Sequence, residues 1–166
     1  IPSVQQVMSV FVAEELSDLL NTRVTIGRIN IGLLNRIIID DVLLDDQDEQ
    51  EMLKVTRLSA KFDIMPFFKG KISISSVQLF GFNINLQKKT PDSPPNFKFV
   101  LDAFASNDTV KKDNSLDLRI NSILIRRGRM AYHVLSEEET PGKFNAKHVQ
   151  LQNIIANISL KALSKD

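Results

Sequence analysis

Two histidines, His133 and His148, are the residues of this chain best suited to acid–base catalysis or metal binding. They are too far apart in sequence to form a helical pair of ligands of the HExxH type, and neither lies beside a nucleophile motif. Each falls at an alternating position of a strand pattern. We therefore interpret both as surface or edge histidines, and the sequence predicts neither an enzyme nor a bound metal or cofactor.

Two charged runs resemble binding sites but have simpler interpretations. The acidic residues 45–49 resemble a calcium loop, yet they lack the glycine of its sharp turn and a correctly spaced closing glutamate. Residues 126–129, Arg-Arg-Gly-Arg, form a basic patch without interleaved aromatic residues that could stack on bases. We interpret both runs as solvated hairpin turns; for the basic run, contact with an anion or a lipid headgroup is the alternative.

The composition excludes several classes of function. Among 166 residues, 21 Lys and Arg stand against 20 Asp and Glu, and a net charge of +1 does not predict a nucleic acid partner. The absence of cysteine excludes disulfides, thiol catalysis and cysteine-ligated metals. No apolar run approaches the roughly 20 residues that a membrane span needs.

Apolar residues recur with a spacing that is typical of strands. Pairs two residues apart are separated by a three-residue step, as in Ile29, Ile31, Leu34, Ile37, Ile39, Val42 and Leu44. A two-residue period places side chains on one face of a strand, and a three-residue step requires a bulge, a bend or a new strand. The pattern predicts an α+β, mostly β fold: an N-terminal amphipathic helix packed on a long, curved, groove-like antiparallel sheet, with a second short helix.

We predict a single domain, or a fragment of one, over residues 1–166. It comprises a helix at 3–20, a first group of strands at 23–89, a linker with a short helix at 90–114, and a second group of strands at 115–161. Each group contains a predicted break within its long apolar pattern, near Phe80–Gly81 and near Arg127–Gly128. A 46-residue repeat, interpreted as a repeated hairpin, relates Ile74, Val77, Leu79, Ile84 and Leu86 to Ile120, Ile123, Ile125, Met130 and Tyr132.

The N-terminal helix carries one broad apolar stripe. Its polar side holds Gln, Ser and acidic residues rather than the Lys and Arg expected on an anionic bilayer. Packing on a core is therefore favoured over a membrane-surface helix. The predicted packing face consists of Val4, Val7, Met8, Phe11, Val12, Leu16 and Leu19.

Several segments occur in an order and spacing that resemble a known family. After the apolar helix come TRVTIGRINI at 22–31, IDDVLLD at 39–45, PFFKGKI at 66–72 and VQLFG at 77–81, with Asn96–Phe97 following. This order is similar to the N-terminal region of the TamB/AsmA-like proteins of the translocation and assembly module, from about Val4 to about Phe104.

The resemblance implies a place in the cell envelope of Gram-negative bacteria. It implies a periplasmic β-groove with an apolar interior and an inner-membrane anchor just upstream, which agrees with a chain that opens on Ile1 without an initiator Met. It further implies a role in phospholipid transport and outer-membrane biogenesis. It also implies a binding partner, a barrel-assembly outer-membrane protein, which would bind a C-terminal region that this chain lacks.

Two functional hypotheses follow. In the first, the sheet is a lipid conduit that holds phospholipid acyl chains on an apolar lining made of Ile72, Ile74, Ile84, Leu86, Ile120, Ile125 and Leu151. In the second, it is a scaffold that offers a sheet edge or groove to outer-membrane protein assembly partners without carrying lipid. A closed core would show the same alternation, so the sequence leaves these alternatives open.

Overall fold

The described part of the chain folds into an open six-stranded sheet with two helices. The computed structural model describes residues 4–32, 35–63, 65, 72–109 and 116–159. The elements in chain order are α1 (Val4–Leu20), β1 (Val24–Gly32), β2 (Arg36–Asp45), β3 (Glu51–Phe62), β4 (Ile72–Lys88), α2 (Lys98–Thr109), β5 (Leu116–Val134) and β6 (His148–Ser159). This architecture confirms the predicted α+β, mostly β fold with an N-terminal helix.

The strands lie in the sheet in the order in which they occur along the chain. Strands β1 to β4 form an antiparallel meander, and β5 and β6 form an antiparallel pair. Strands β4 and β5 are parallel, whereas the sequence pattern suggested antiparallel pairing throughout. The reason is the connection between them: it contains α2 and is long enough to return the chain to the starting end of β4, which a hairpin turn cannot do.

The 46-residue repeat relates residues that lie opposite each other in this parallel pair of strands. Val77 lies opposite Ile123, Leu79 opposite Ile125, Ile84 opposite Met130 and Leu86 opposite Tyr132. Ile74 lies opposite Leu118 instead of Ile120, because the register shifts between Ile74 and Ser76. The repeat therefore reflects two neighbouring strands with matching side chains, and its interpretation as a repeated hairpin is wrong.

Strands β4 and β5 each continue through the position where a break was predicted. Gly81 in β4 (φ 65°) and Arg127 in β5 (φ 54°) adopt left-handed backbone conformations, as do Asp41 in β2 (φ 57°) and Asn153 in β6 (φ 53°). These four residues lie close to one line across the sheet, which we call the crease. Each predicted pair of strands in residues 71–86 and 116–135 is thus one long strand with a local bend.

The crease explains two of the three-residue steps of the apolar pattern. The step from Ile39 to Val42 spans Asp41, and the step from Leu151 to Ile154 spans Asn153. A left-handed residue shifts the alternation of side chains between the two faces by one position. The apolar residues before and after it therefore remain on one face of the sheet. The predicted need for a bulge or bend at these steps is confirmed.

The basic run at residues 126–129 lies within β5, so its interpretation as a hairpin turn is wrong. A Cβ atom at Gly128 would lie 2.3 Å from ring atoms of Phe82, which shows that the ring of the neighbouring strand occupies the space over this glycine. On the other face, the Arg127 guanidinium lies 5.2 Å from the centroid of the Phe80 ring. Gly128 thus leaves room for the Phe82 ring against the sheet and does not form a turn.

The acidic run at residues 45–49 forms the turn between β2 and β3, but it is only partly solvated. The Asp46 side chain is buried, and its Oδ1 accepts hydrogen bonds from the backbone N–H groups of Asp48 and Gln50. Its Oδ2 accepts a third from the Asn96 amide at 3.1 Å and a fourth, longer one from Gln87 at 3.5 Å. Asp46 therefore ties this turn to the linker that precedes α2.

Helix α1 packs against β1 through both small and large residues, and only part of the predicted packing face takes part. Ser9 and Leu20 are buried, and the Ser17 hydroxyl accepts a hydrogen bond from the Val24 N–H at 3.0 Å. Leu16, which belongs to the predicted face, and Leu20 pack on the cluster that contains Val24 and Leu44. Of the predicted face, Leu16 and Val12 are half-buried, Val7, Phe11 and Leu19 are exposed, and the side chains of Val4 and Met8 lie outside the described set.

Candidate functional site: the apolar face of the sheet

One face of the sheet carries apolar side chains on all six strands; we call it the apolar face. Residues that pair directly across neighbouring strands share a face, so the register identifies the members of each row. On one side of the crease the members of one row are Val24, Leu44, Leu53, Ile84, Met130 and Leu151. This row spans the full width of the sheet without a polar residue.

A second row of the apolar face lies on the other side of the crease. Its members are Ile29, Ile39, Leu58, Leu79, Ile125 and Ala156. A third row beyond it includes Ala60, Val77 and Ile123. With strands about 4.8 Å apart, six strands give an apolar surface about 24 Å wide.

The opposite face is mainly polar. Arg28, Asp40 and Arg57 lie side by side on β1, β2 and β3, and Ser59 pairs with Gln78. Arg57 Nε donates a hydrogen bond to Asp40 Oδ1 at 2.6 Å, and this bond holds the pKa of Asp40 below its ordinary value. The two faces therefore differ in kind, as in a sheet with one solvated side.

The two described helices cover one end of the apolar face. Leu20 of α1 is buried together with Val24, Leu44 and Met52. Side chains around α2 pack on the same cluster; they are Phe97, Phe99, Val100 and Ala103. At the other end, Ala60, Phe62 and Ile74 form a second, small cluster.

Between these clusters Ile29, Val55 and Phe82 are buried, but towards β6 the apolar face is only partly covered. Leu79 and Ile125 are half-buried although strands flank them on both sides. At the margins, Ile31 is 67% exposed and Leu151 45% exposed. Neither described helix makes an extensive contact with β5 or β6. A sandwich core would bury such central side chains fully, so the described elements leave part of this face open.

Five of the seven predicted lining residues have described side chains, and all five lie on the apolar face. Ile84 and Leu151 both lie opposite Met130, Leu86 lies two residues beyond Ile84, and Ile125 pairs with Leu79. Ile74 is buried in the second cluster and so does not line the open part.

The side chains of the other two predicted lining residues, Ile72 and Ile120, lie outside the described set. Sequence reasoning missed Ile39, Leu58 and Leu79 as lining residues. The same two-residue period that selected Ile84 and Leu86 runs through their strands and could have identified them.

No helix in the described part of the chain combines the length and the apolar character needed to cross a bilayer. Comparison of the chain with protein-family models, curated proteins and solved structures found no significant match.

Proposed function

We propose that this chain is a lipid-binding segment whose apolar face holds phospholipid acyl chains. In this proposal it is the periplasmic part of an inner-membrane-anchored TamB/AsmA-like protein and acts in phospholipid transport and outer-membrane biogenesis. The observation that carries the proposal is the apolar face, closed by helices at one end and only half-buried at Leu79 and Ile125. An open apolar surface of this width is costly in water unless an apolar occupant covers it.

The chemistry of the face favours acyl chains over a polar ligand. The row from Val24 to Leu151 contains no hydrogen-bonding side chain across six strands. Such a surface offers nothing to recognise a headgroup, while each buried methylene contributes about 0.8 kcal/mol. The segment would thus bind lipids of different headgroups alike.

The test is binding of a fluorescent fatty-acid analogue and of phospholipid to the purified protein. Leu79→Asp places a carboxylate on the apolar face and is expected to weaken binding strongly, because the charge would be desolvated without a partner. Gln78→Asp is the matched control: it introduces the same charge one residue away on the polar face, and binding is expected to persist.

Circular dichroism and the melting temperature must first show that both variants are folded, and Leu79→Asn is the milder substitute if Leu79→Asp unfolds. Absence of lipid binding by the native protein, or equal losses in both folded variants, would refute the conduit.

A scaffold for outer-membrane protein assembly is the second candidate, and the free edge of β6 favours it. Among the described strands β6 pairs with β5 only, and Ile155 on this edge is 76% exposed. Exposed edges can accept a further strand, and an edge lysine discourages this. Ile155→Lys is therefore expected to block capture of an extended client peptide while lipid binding continues. If the variant leaves peptide capture unchanged, the scaffold is contradicted and the conduit alone is favoured.

A further inference from the structure

The two histidines that the sequence treats as isolated lie side by side in the fold. His133 near the end of β5 pairs with His148 at the start of β6. Their Nδ1 atoms are 3.0 Å apart and their ring centroids 5.3 Å apart. The connection between the strands brings them together, which the spacing of the two residues along the chain did not predict.

The hydrogen bonds around His148 assign its tautomer. Its Nε2 lies 2.9 Å from the backbone oxygen of Glu137, and a carbonyl oxygen can only accept, so Nε2 carries the hydrogen. In the neutral ring, Nδ1 then presents its lone pair towards Nδ1 of His133. Two imidazole nitrogens at this separation need a proton or a cation between them. A backbone carbonyl that accepts from the far ring nitrogen is also the usual support of a metal-binding histidine.

A third donor completes the arrangement. Glu139 Oε1 lies 3.9 Å from Nδ1 of His133 and 4.0 Å from Nδ1 of His148. With the 3.0 Å between the two nitrogens, these distances define a triangle whose circumcentre is about 2.1 Å from every corner. Zinc binds histidine nitrogen at about 2.0–2.1 Å and carboxylate oxygen at about 2.0–2.2 Å. We propose that His133, His148 and Glu139 bind one divalent transition-metal ion, best Zn²⁺.

The surrounding loop holds the donors in place. Lys147 forms a 2.7 Å ion pair with Glu137, whose carbonyl orients His148, and Asn145 Nδ2 donates to the Glu138 carbonyl at 3.1 Å. The Val134 N–H donates to the Lys147 carbonyl at 2.9 Å and closes the base of the loop. These bonds restrict the loop before any metal arrives, which lowers the entropic cost of binding.

The site is open on one side. The His148 side chain is only 10% exposed and that of His133 27%, whereas Glu139 is 69% exposed. A cavity of about 390 Å³ adjoins the three donors, so water can complete the coordination. Two imidazole donors favour Zn²⁺, Ni²⁺ or Cu²⁺ over Ca²⁺ and Mg²⁺, which take oxygen ligands. Bound metal would fasten the β5–β6 loop to the end of the sheet.

The test is titration of chelator-treated protein with Zn²⁺ by calorimetry, together with the melting temperature. One ion per chain is expected, with a higher melting temperature, and Ca²⁺ and Mg²⁺ should produce neither effect. Loss of a ligand should cost at least as much as loss of one of its outer-shell partners, so His148→Gln and Glu139→Gln should each weaken Zn²⁺ binding by about 10-fold or more. Glu138→Gln removes the same charge one residue away and should leave the affinity close to the native value, because the Glu138 side chain is not a donor and its backbone carbonyl is kept.

Three results would overturn the proposal. These are absence of stoichiometric Zn²⁺ binding, an equal loss in Glu138→Gln and Glu139→Gln, or native affinity in a His133→Gln, His148→Gln double variant. Folding is checked on the metal-free variants, whose melting temperatures should match that of the metal-free native protein. If His148→Gln fails this check, His133→Gln replaces it as the test of the histidine ligands.

Discussion

At the scale of single residues, Asp46 shows how a charge can be buried in a turn. Its two carboxylate oxygens accept four hydrogen bonds, and only an acceptor satisfies all four donors. Asp46→Asn would turn an amide N–H₂ towards the amides of Gln87 and Asn96 or towards the backbone donors. We expect a loss of about 1–3 kcal/mol in the free energy of unfolding, measured by urea denaturation. Glu49→Gln, an exposed change in the same turn, should cost little; equal losses would contradict the role of Asp46.

The ion pair between Asp40 and Arg57 predicts a dependence of stability on pH. The hydrogen bond from Arg57 lowers the pKa of Asp40 in the folded state, so its stabilisation is present above the unfolded pKa of about 3.9 and is lost as the pH falls through the folded value. The melting temperature of Arg57→Gln should therefore lie below that of the native protein at pH 6, and the difference should shrink below about pH 4. Arg126→Gln, on the same face, controls for the loss of one positive charge, and a difference that is constant with pH would refute this account.

At the scale of elements, the crease depends on residues that tolerate a left-handed backbone. An alanine at position 81 would have to adopt this left-handed conformation. Its Cβ atom would also lie 2.8 Å from the Thr56 hydroxyl oxygen. Gly81→Ala should therefore destabilise the protein by more than the roughly 1–2 kcal/mol of a left-handed alanine. Gly142→Ala separates the two causes, because Gly142 is also left-handed (φ 76°) but has no atom within 4 Å of the added Cβ. Equal losses in thermal unfolding would show that Thr56 moves aside at no cost.

At the scale of the whole molecule, the two faces of one sheet predict which property of a lipid matters. If the apolar face holds acyl chains, each additional buried methylene should tighten binding by about 0.8 kcal/mol, or about fourfold. A series of saturated fatty acids measured by displacement of a fluorescent analogue checks this. Changing the headgroup at constant chain length is the control and should alter the affinity far less. A flat dependence on chain length would contradict the proposed function.

Most of the apolar face could be predicted because its signal is local. The alternation at Ile84 and Leu86 and the three-residue step at Ile39 to Val42 depend only on neighbouring residues in one strand. The choice of helix face could not be predicted from apolarity alone, since Ser9 is buried and Ser17 bonds to β1 while Phe11 remains 60% exposed.

The sequence by itself determined the fold class, the apolar face and the need for bends in the strands, because strand period and backbone strain act within a few residues. Only the tertiary structure decided the parallel pairing of β4 and β5, the continuity of the strands through Gly81 and Arg127, and the meeting of His133 with His148. These features join residues that are distant along the chain. They depend on where α2 and the β5–β6 loop return the backbone, which no local spacing encodes.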